Sequence, residues 1–259
     1  MDNQEREIRE QICEVGRRVW MKGWVASNDG NFSMRMDDTY VIATPTGVSK
    51  GFMSPDMLIK VDMDGNLRSG YLKPSSELMI HLEAYKQRDD IRGFVHAHPP
   101  ISTGFAVANI PLEFKTLPEI IISLGSIPLA AYGTPSTMEL AESISELVKC
   151  HDAILLANHG AITLGKDVMN AYYKMEAVEH FASISLTAHS LGGMKPISEP
   201  NIKKLEEVRE KFGIKIGGTA CMSCGSCTDS ADHSQTTKDE YEELIEDLTK
   251  KVMRELNDE

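Results

Sequence analysis

The hydrophobic positions of this chain recur with two periods, one typical of helices and one typical of short strands. Ile8, Ile12, Val15 and Val19 lie at helical spacing and predict an amphipathic helix over residues 4–22. Comparable patterns, bounded by capping residues and glycines, predict further helices over residues 77–88, 101–108, 136–150, 167–191 and 199–212.

Short apolar segments between turn residues predict strands. These lie over residues 31–36, 39–43, 57–61, 93–98, 152–157 and 161–163. Two further short apolar stretches, at 117–124 and 127–131 on either side of Gly125, receive no assignment. Tight turns rather than helical crossovers join many of these strands. This connection pattern favours a largely antiparallel sheet flanked by helices over a doubly wound parallel fold.

Composition narrows the class of protein without naming a function. The chain has 259 residues, of which 41% are hydrophobic and 25% charged, as in ordinary soluble globular proteins. No apolar run reaches the ~20 residues of a membrane span, and the N-terminus lacks a signal-peptide pattern, so we expect a cytoplasmic protein. The net charge of −12 argues against nucleic-acid or anionic-membrane binding. An anionic small substrate would therefore need local groups to hold it.

A change in composition near residues 213–218 suggests a domain boundary. We expect a main domain over residues 1–212 and a C-terminal segment over residues 213–259. Within that segment, residues 238–256 show the apolar stripe of an acidic amphipathic helix. Such a stripe must pack on something, and a neighbouring subunit is the expected partner.

Three of the five cysteines, Cys221, Cys224 and Cys227, form the spacing C-x2-C-x2-C in the linker before that helix. An odd number of cysteines does not suggest a disulfide scaffold. Three thiols this close either share a second metal or an iron–sulfur cluster with a fourth ligand, or are the reactive thiols of a flexible linker.

His96 and His98 end a predicted buried strand, immediately before two prolines. Side chains alternate between the faces of a strand, so these two imidazoles leave the same face. That geometry suits a small divalent cation held by neutral histidine nitrogens. His159, at a glycine-assisted break between two buried strands, is the candidate third ligand; its alternative role is a hydrogen-bonded turn histidine. His81, on a helix face, is interpreted as a satisfied core or interface residue.

Glu77 opens a predicted helix directly after two serines. A helix N-terminus offers unpaired amide donors and the positive end of the helix dipole, so it binds anions, and serine hydroxyls add donors suited to phosphate. Each of the residues named below, taken alone, could also belong to an ordinary turn. Glu77 alone could be an acid that stabilises the first turn of its helix. The candidate phosphate-binding residues are Asn31, Thr46, Gly47, Ser75 and Ser76.

Five short motifs occur together in the order and approximate spacing of the class II aldolase/adducin family. Over about residues 5–195 the chain resembles the fuculose-phosphate aldolase and ribulose-phosphate epimerase branch of that family. The motifs are Gly30-Asn31, Thr44-Pro-Thr-Gly47, Pro74-Ser-Ser-Glu77, His96-x-His98 and Asn158-His-Gly160.

The resemblance implies an α/β fold, a three-layer αβα sandwich with a central, mainly antiparallel sheet. It implies self-association as a homotetramer with active sites at the subunit interfaces. It also implies that His96, His98 and His159 bind one Zn²⁺, or another divalent metal, per subunit. Glu77 would be the acid/base and can also approach the metal. The phosphate pocket would consist of Asn31, Thr46, Gly47, Ser75 and Ser76.

The implied activity is that of a metal-dependent aldehyde-lyase. It would reversibly cleave a ketose 1-phosphate to dihydroxyacetone phosphate and an aldehyde; candidate substrates are L-fuculose 1-phosphate and 5-deoxypentulose or methylthioribulose 1-phosphates. Such cleavage builds an enediolate, which a Lewis acid stabilises while a carboxylate moves the proton. The alternatives are a pentulose-phosphate epimerase or dehydratase on the same metal site, and a non-catalytic adducin-like scaffold. A retained ligand set argues against the scaffold.

The chain departs from the family pattern at its second acid/base. Fuculose-phosphate aldolase uses a tyrosine to protonate the leaving aldehyde, but residues 113–119 contain no tyrosine. The methylthioribulose-phosphate dehydratase branch has a catalytic glutamate in a similar place, which makes Glu119 the candidate. Its alternative role is a helix N-terminal acid after Pro118. The family also takes a tyrosine from the neighbouring subunit's C-terminal region, where this chain offers only Tyr241, without a supporting motif.

Overall fold

The computed structural model describes residues 2–217. The predictions for Cys221, Cys224, Cys227, Tyr241 and the C-terminal helix lie outside the described residues. Within residues 2–217 the helices are α1 (Asn3–Met21), α2 (Leu78–Gln87), α3 (Pro100–Val107), α4 (Pro118–Ser123), α5 (Met138–Ser145), α6 (Val168–Ser190) and α7 (Glu199–Lys211). The strands are β1 (Asn31–Arg35), β2 (Tyr40–Ala43), β3 (Ile59–Asp62), β4 (Leu67–Ser69), β5 (Gly93–Ala97), β6 (Leu129–Ala130), β7 (Ala153–Leu156) and β8 (Gly160–Gly165).

The strands of this described part form one mixed sheet in the order β4-β3-β2-β1-β5-β8-β7-β6. Every neighbouring pair is antiparallel except β6 and β7, which are parallel. The predicted, mainly antiparallel sheet is therefore confirmed. Its central pairing places Asn31 on β1 opposite His96 on β5.

Helices cover both faces of the sheet, because successive residues of its strands alternate between two apolar cores. Val95 belongs to a core that includes Ile12 of α1 and residues of α6. Its neighbour Phe94 belongs to a core that includes Leu82 of α2 and residues of α5. This alternation is the period-2 pattern of strands buried on both faces. The result is the three-layer αβα sandwich.

Several element boundaries differ from the sequence prediction for local reasons. The strand predicted over 57–61 begins only at Ile59, because Pro55 starts a 3-10 turn over Pro55–Met57. The helix predicted over 136–150 is α5 followed by a separate 3-10 turn, Leu147–Lys149. The edge strand β4 was not predicted. No helix in residues 2–217 has the length and apolar character needed to cross a membrane.

Candidate active site

Three histidines meet at one end of the central strands. His96 lies in β5, His98 follows it directly, and His159 lies in the turn between β7 and β8. One ring nitrogen from each lies within 4.8 Å of those of the other two. The turn after His159 can pack this closely against His98 only because residue 160 is glycine. A Cβ there would lie 2.6 Å from His98 Cδ2 and 2.7 Å from Ala97 O. The structure thus brings together the three predicted metal ligands.

Backbone contacts hold each histidine in place. The amide of His98 donates to Trp24 O at 2.9 Å, and the amide of Asn158 donates to Ala106 O at 3.1 Å. Asn158 has a φ of 58°, a left-handed conformation that asparagine tolerates better than most residues. These contacts tie the His159 turn to α3, and His98 to the loop after α1.

His96 presents an unprotonated ring nitrogen to the other histidines. His96 Nδ1 lies 3.0 Å from Ala161 O, so it bears the proton and donates to that carbonyl. His96 Nε2 is then unprotonated, and it lies 3.1 Å from His98 Nε2. Burial, reinforced by the neighbouring histidines, lowers the pKa of His96 well below its usual range, and burial also lowers the pKa of His98. Neutral imidazoles with converging nitrogens fit a divalent cation such as Zn²⁺.

Glu77 stands beside this group, at the N-terminal end of α2. Its Oε1 lies 3.2 Å from His159 Nε2 and its Oε2 lies 3.5 Å from His96 Nε2. Asn31 Nδ2 donates to Oε2 at 2.7 Å. Burial would raise the pKa of Glu77, but the hydrogen bond from His159 and the nearby His96 and Asn31 outweigh it and hold the pKa below its usual range. Glu77 is thus an ionised carboxylate within reach of the histidines.

A cavity of about 190 Å³ opens beside Glu77 and the histidines. Polar atoms form most of its wall. The amide of Thr46 donates to Lys73 O at 3.0 Å, which joins the loop after β2 to the segment before α2. The lining residues are Asn28, Asp29, Gly30, Asn31, Pro45, Thr46, Lys50, Ser75, Ser76, Glu77, His98 and His159.

The predicted phosphate-binding residues fall largely around this cavity. Thr46, Ser75 and Ser76 line it, and Gly47 adjoins Thr46 without lining it. Asn31 also lines it, with its amide nitrogen already bonded to Glu77. The cavity thus groups neutral hydrogen-bond donors with an acid and the histidines.

Glu119 is not part of this cavity. It lies in the first turn of α4, where its side chain is exposed. This position agrees with the alternative role of a helix N-terminal acid. Within this single chain, Glu119 does not line the cavity that contains Glu77.

Two charged residues of the cavity were missed at the sequence level. Lys50 is buried, with 1% of its surface exposed, and its ammonium group donates to Asn28 O at 2.7 Å and Val48 O at 2.8 Å. Asp29 Oδ2 lies 3.8 Å from His98 Nδ1. Burial lowers the pKa of Lys50 to about 8, although the charge of Asp29 opposes this shift. Both residues lie close in sequence to the Gly30-Asn31 and Thr46-Gly47 motifs, and this proximity could have identified them as candidate site residues.

Comparison with known proteins agrees with this geometry. Residues 10–186 match the Class II Aldolase and Adducin N-terminal domain, and the chain belongs to this family. It is 35% identical over 181 residues to an L-fuculose phosphate aldolase of Methanococcus maripaludis, covering 70% of this chain and 97% of that protein. It is 33% identical over 205 residues to a 3-oxo-tetronate 4-phosphate decarboxylase of Haemophilus influenzae, covering 76% of this chain and 95% of that protein.

Solved structures show the same fold. An L-fuculose 1-phosphate aldolase superimposes with a TM-score of 0.73 at 27% identity, covering 80% of this chain and 96% of that chain. The L-fuculose-1-phosphate aldolase of Thermus thermophilus gives a TM-score of 0.65 at 28% identity, covering 76% of this chain and all of that chain (100%). The predicted family and its resemblance to fuculose-phosphate aldolase are thus confirmed.

Proposed function

We propose that this protein is a zinc-dependent aldolase that reversibly cleaves a ketose 1-phosphate to dihydroxyacetone phosphate and an aldehyde. The observation that carries the proposal is the convergence of three histidines and an ionised glutamate at a cavity rich in phosphate-type donors. The proposed substrates are L-fuculose 1-phosphate and 5-deoxypentulose or methylthioribulose 1-phosphates. The similar proteins described as L-fuculose phosphate aldolases support this choice.

In this proposal His96, His98 and His159 hold one Zn²⁺, or another divalent metal, with Glu77 within reach of it. Bound there, the cation would supply Lewis-acid chemistry, polarising a substrate carbonyl and stabilising negative charge on its oxygen. The protein's own contribution is to hold the three imidazoles converging before substrate arrives, with those of His96 and His98 kept neutral by burial. The hydrogen bond from His96 to Ala161 O supports this preorganisation.

Glu77 is the proposed acid/base. Because its carboxylate is ionised, it can take a proton from the substrate carbon or hydroxyl group that faces it and return the proton in the reverse direction. The histidine and asparagine contacts hold it in one orientation. A positioned base of this kind typically accelerates proton transfer by about 10²–10⁴-fold.

Thr46, Gly47, Ser75, Ser76 and Asn31 are the proposed phosphate-binding residues. The two serines precede α2, whose N-terminal amides and positive dipole end favour an anion. A phosphate anchored there would hold the reacting carbons of a short sugar chain near Glu77 and the histidines. We further propose a homotetramer in which Glu119 serves as the second acid/base.

The test is to incubate the zinc-loaded protein with dihydroxyacetone phosphate and a panel of short aldehydes, including lactaldehyde and glycolaldehyde. We expect a condensation product with at least one aldehyde, detected by mass spectrometry, and cleavage of the isolated product. Turnover of a pentulose phosphate without cleavage would instead indicate an epimerase or dehydratase. Absence of product with every aldehyde would refute the aldolase assignment.

Decarboxylation is the second candidate, because two 3-oxo-tetronate 4-phosphate decarboxylases are 33% and 30% identical to the chain. The same residues suit this reaction: a 4-phosphate would occupy the hydroxyl-rich wall, and loss of CO₂ also leaves charge on a carbonyl oxygen. Release of CO₂ from a 3-oxo-tetronate 4-phosphate, without any condensation activity, would favour this candidate over the aldolase.

A further inference from the structure

Behind Glu77 a row of buried polar groups runs into the core between α2 and the sheet. Glu77 Oε2 is 2.7 Å from Asn31 Nδ2, and Asn31 Oδ1 is 2.5 Å from His81 Nε2. His81 Nδ1 is 2.7 Å from Ser33 Oγ, which is 2.9 Å from the hydroxyl of Tyr85. Asn31, Ser33, His81 and Tyr85 are at most 4% exposed. No step of the proposed mechanism uses the three innermost groups.

The direction of every proton in this row follows from the chemistry of its members. An ionised Glu77 only accepts, so Asn31 must face it with its amide N–H and turn its oxygen inward. An amide oxygen has no proton, so His81 donates from Nε2. Neutral His81 then has a lone pair on Nδ1, which takes the proton of Ser33. Ser33 Oγ can then only accept from the Tyr85 hydroxyl, whose single proton also faces the carbonyl oxygens of Ser33 at 3.1 Å and Arg92 at 3.2 Å.

Two further contacts fix the imidazole that stands in the middle of this row. The ring of His81 stacks on Phe94, with centroids 3.9 Å apart and planes inclined by 24°. Phe94 lies on β5 directly opposite Ser33 on β1, so the stacked ring and the serine sit on the same strand pair. Burial lowers the pKa of His81 to about 3, against the charge of Glu77, which agrees with a neutral ring.

We propose that His81 is a positioning residue for the acid/base: it locks the amide of Asn31 so that the Asn31 N–H binds Oε2 of Glu77 and holds the carboxylate in one orientation. The role of Glu77 in this statement rests on the proposed function. Without the His81 donor, the Asn31 amide is free to turn its oxygen toward the carboxylate, and two acceptors would then repel each other.

Two substitutions separate positioning from packing. His81→Phe keeps the ring and its stacking on Phe94 but removes both hydrogen bonds. His81→Gln keeps one donor and one acceptor, which can serve Asn31 and Ser33. Thr163→Val is the matched control. It removes a buried hydroxyl that donates to Ala171 O at 2.8 Å and is not part of the row behind Glu77.

We expect His81→Phe to lower kcat for condensation by roughly 10²-fold, because misplacing a catalytic group by about 1 Å has effects of that order. KM and zinc content should stay near wild type, and His81→Gln should recover most of the lost kcat. Thr163→Val should change Tm without this selective loss. Equal kcat for wild type and His81→Phe, or a loss that tracks Tm across all three variants, would overturn the proposal.

A second readout does not depend on any activity. Long-range ¹H–¹⁵N correlation spectra of the histidine-labelled protein should show His81 as the neutral tautomer protonated on Nε2, as the row requires. A protonated His81, or a proton on Nδ1, would refute the positioning role even if the enzyme is active. The expected tautomer combined with no turnover in the aldehyde panel would instead refute the proposed function alone.

Discussion

Lys50 has an electrostatic role that its neighbours cannot share. Among the cavity-lining residues that the structure describes, it is the only lysine or arginine, whereas Asp29 and Glu77 are acids. The phosphate donors Thr46, Ser75 and Ser76 are neutral. A phosphate dianion in this cavity therefore meets one fixed side-chain cation, held between two carbonyl oxygens. Its charge offsets the repulsion from the acids.

Lys50→Gln should weaken phosphate binding by roughly tenfold, since a hydrogen bond to a charged group contributes about 1.5 kcal/mol or more. The glutamine amide keeps two donor hydrogens for the carbonyl oxygens of Asn28 and Val48, and a melting curve of the variant checks that it remains folded. The measurement is the inhibition constant of inorganic phosphate. Lys73→Gln, which removes an exposed lysine of the adjoining segment, is the control and should behave as wild type.

The same lysine predicts a pH dependence of phosphate binding. Its pKa in the folded protein is lowered to about 8, so its charge is lost as the pH rises through 8, well before a solvated lysine would be neutral. Phosphate affinity of the wild type should therefore fall between pH 7 and 9, while the inhibition constant of Lys50→Gln should stay flat. A parallel fall in both proteins would contradict the assignment to Lys50.

His159→Ala should abolish tight zinc binding, because it removes one of three convergent nitrogens. Metal analysis after dialysis gives the stoichiometry. For the wild type, zinc at about 1,000 times its dissociation constant should add roughly 4 kcal/mol to the free energy of unfolding, with a matching rise in Tm. His189→Ala, which removes an exposed histidine near the end of α6, is the control. Unchanged zinc content in His159→Ala would contradict the site.

The histidine and glutamate positions of the site could be predicted because their motifs are local in sequence. The buried residues that hold these side chains in place could not be predicted. Asn31 meets His81 only because β1 pairs with β5 in one register and α2 packs over that pair. Ser33 and Tyr85 look like ordinary strand and helix residues in the sequence. Lys50 looks like a surface lysine of a loop until the fold buries it.

At the scale of elements, α3 connects the metal-site histidines to the helical layer. It begins two residues after His98, at Pro100, and its N-terminus has no capping side chain of its own. Glu179 of α6 takes that role: its two oxygens accept from the amides of Ile101 at 2.9 Å and Ser102 at 2.8 Å. A carboxylate at a helix N-terminus is favourable both as an acceptor and as a charge.

Glu179→Ala should lower the free energy of unfolding by about 1 kcal/mol, the usual effect of losing a helix cap, and Tm by roughly 2–4 °C. Because His98 lies two residues before this helix, zinc affinity should fall as well. Glu142→Ala on the exposed face of α5 is the control and should change neither quantity. A drop in Tm with unchanged zinc affinity would show that α3 does not position His98.

The long helix α6 was predictable from the sequence, whereas the strands of only two or three residues were not. α6 follows its predicted range and is capped, as expected, by Asp167, which accepts from the amide of Asn170 at 2.6 Å. β4 has three residues, all exposed, so it carries no apolar alternation. β6 has two residues and pairs in parallel with β7, a partner that no local turn specifies.

On the scale of the whole molecule, the net charge of −12 gives no long-range attraction to a sugar phosphate. Under the proposed function, recognition would come from the cavity itself, through a divalent cation, Lys50 and the start of α2. The described chain supplies the proposed acid/base, Glu77, to that cavity, which Asp29 also lines, whereas Glu119 is exposed on α4 outside it. An exposed acid can complete a neighbouring subunit's site if the protein assembles as proposed.

Mixed tetramers test this assembly directly. Neither His159→Ala, which lacks a metal ligand, nor Glu119→Gln, which lacks the proposed second acid/base, should be active alone. After joint refolding, a subunit carrying Glu119→Gln keeps its metal site and can receive an intact Glu119 from a His159→Ala neighbour. We therefore expect the mixture to regain aldolase activity.

The control mixture combines His159→Ala with His96→Ala, two variants with damaged metal sites. No arrangement of these subunits restores a complete ligand set, so this mixture should stay inactive. If the first mixture also stays inactive while light scattering shows mixed tetramers, Glu119 does not act across the interface. If Glu119→Gln alone keeps full kcat, its exposed carboxylate serves only as the first-turn acid of α4, and another group protonates the leaving aldehyde.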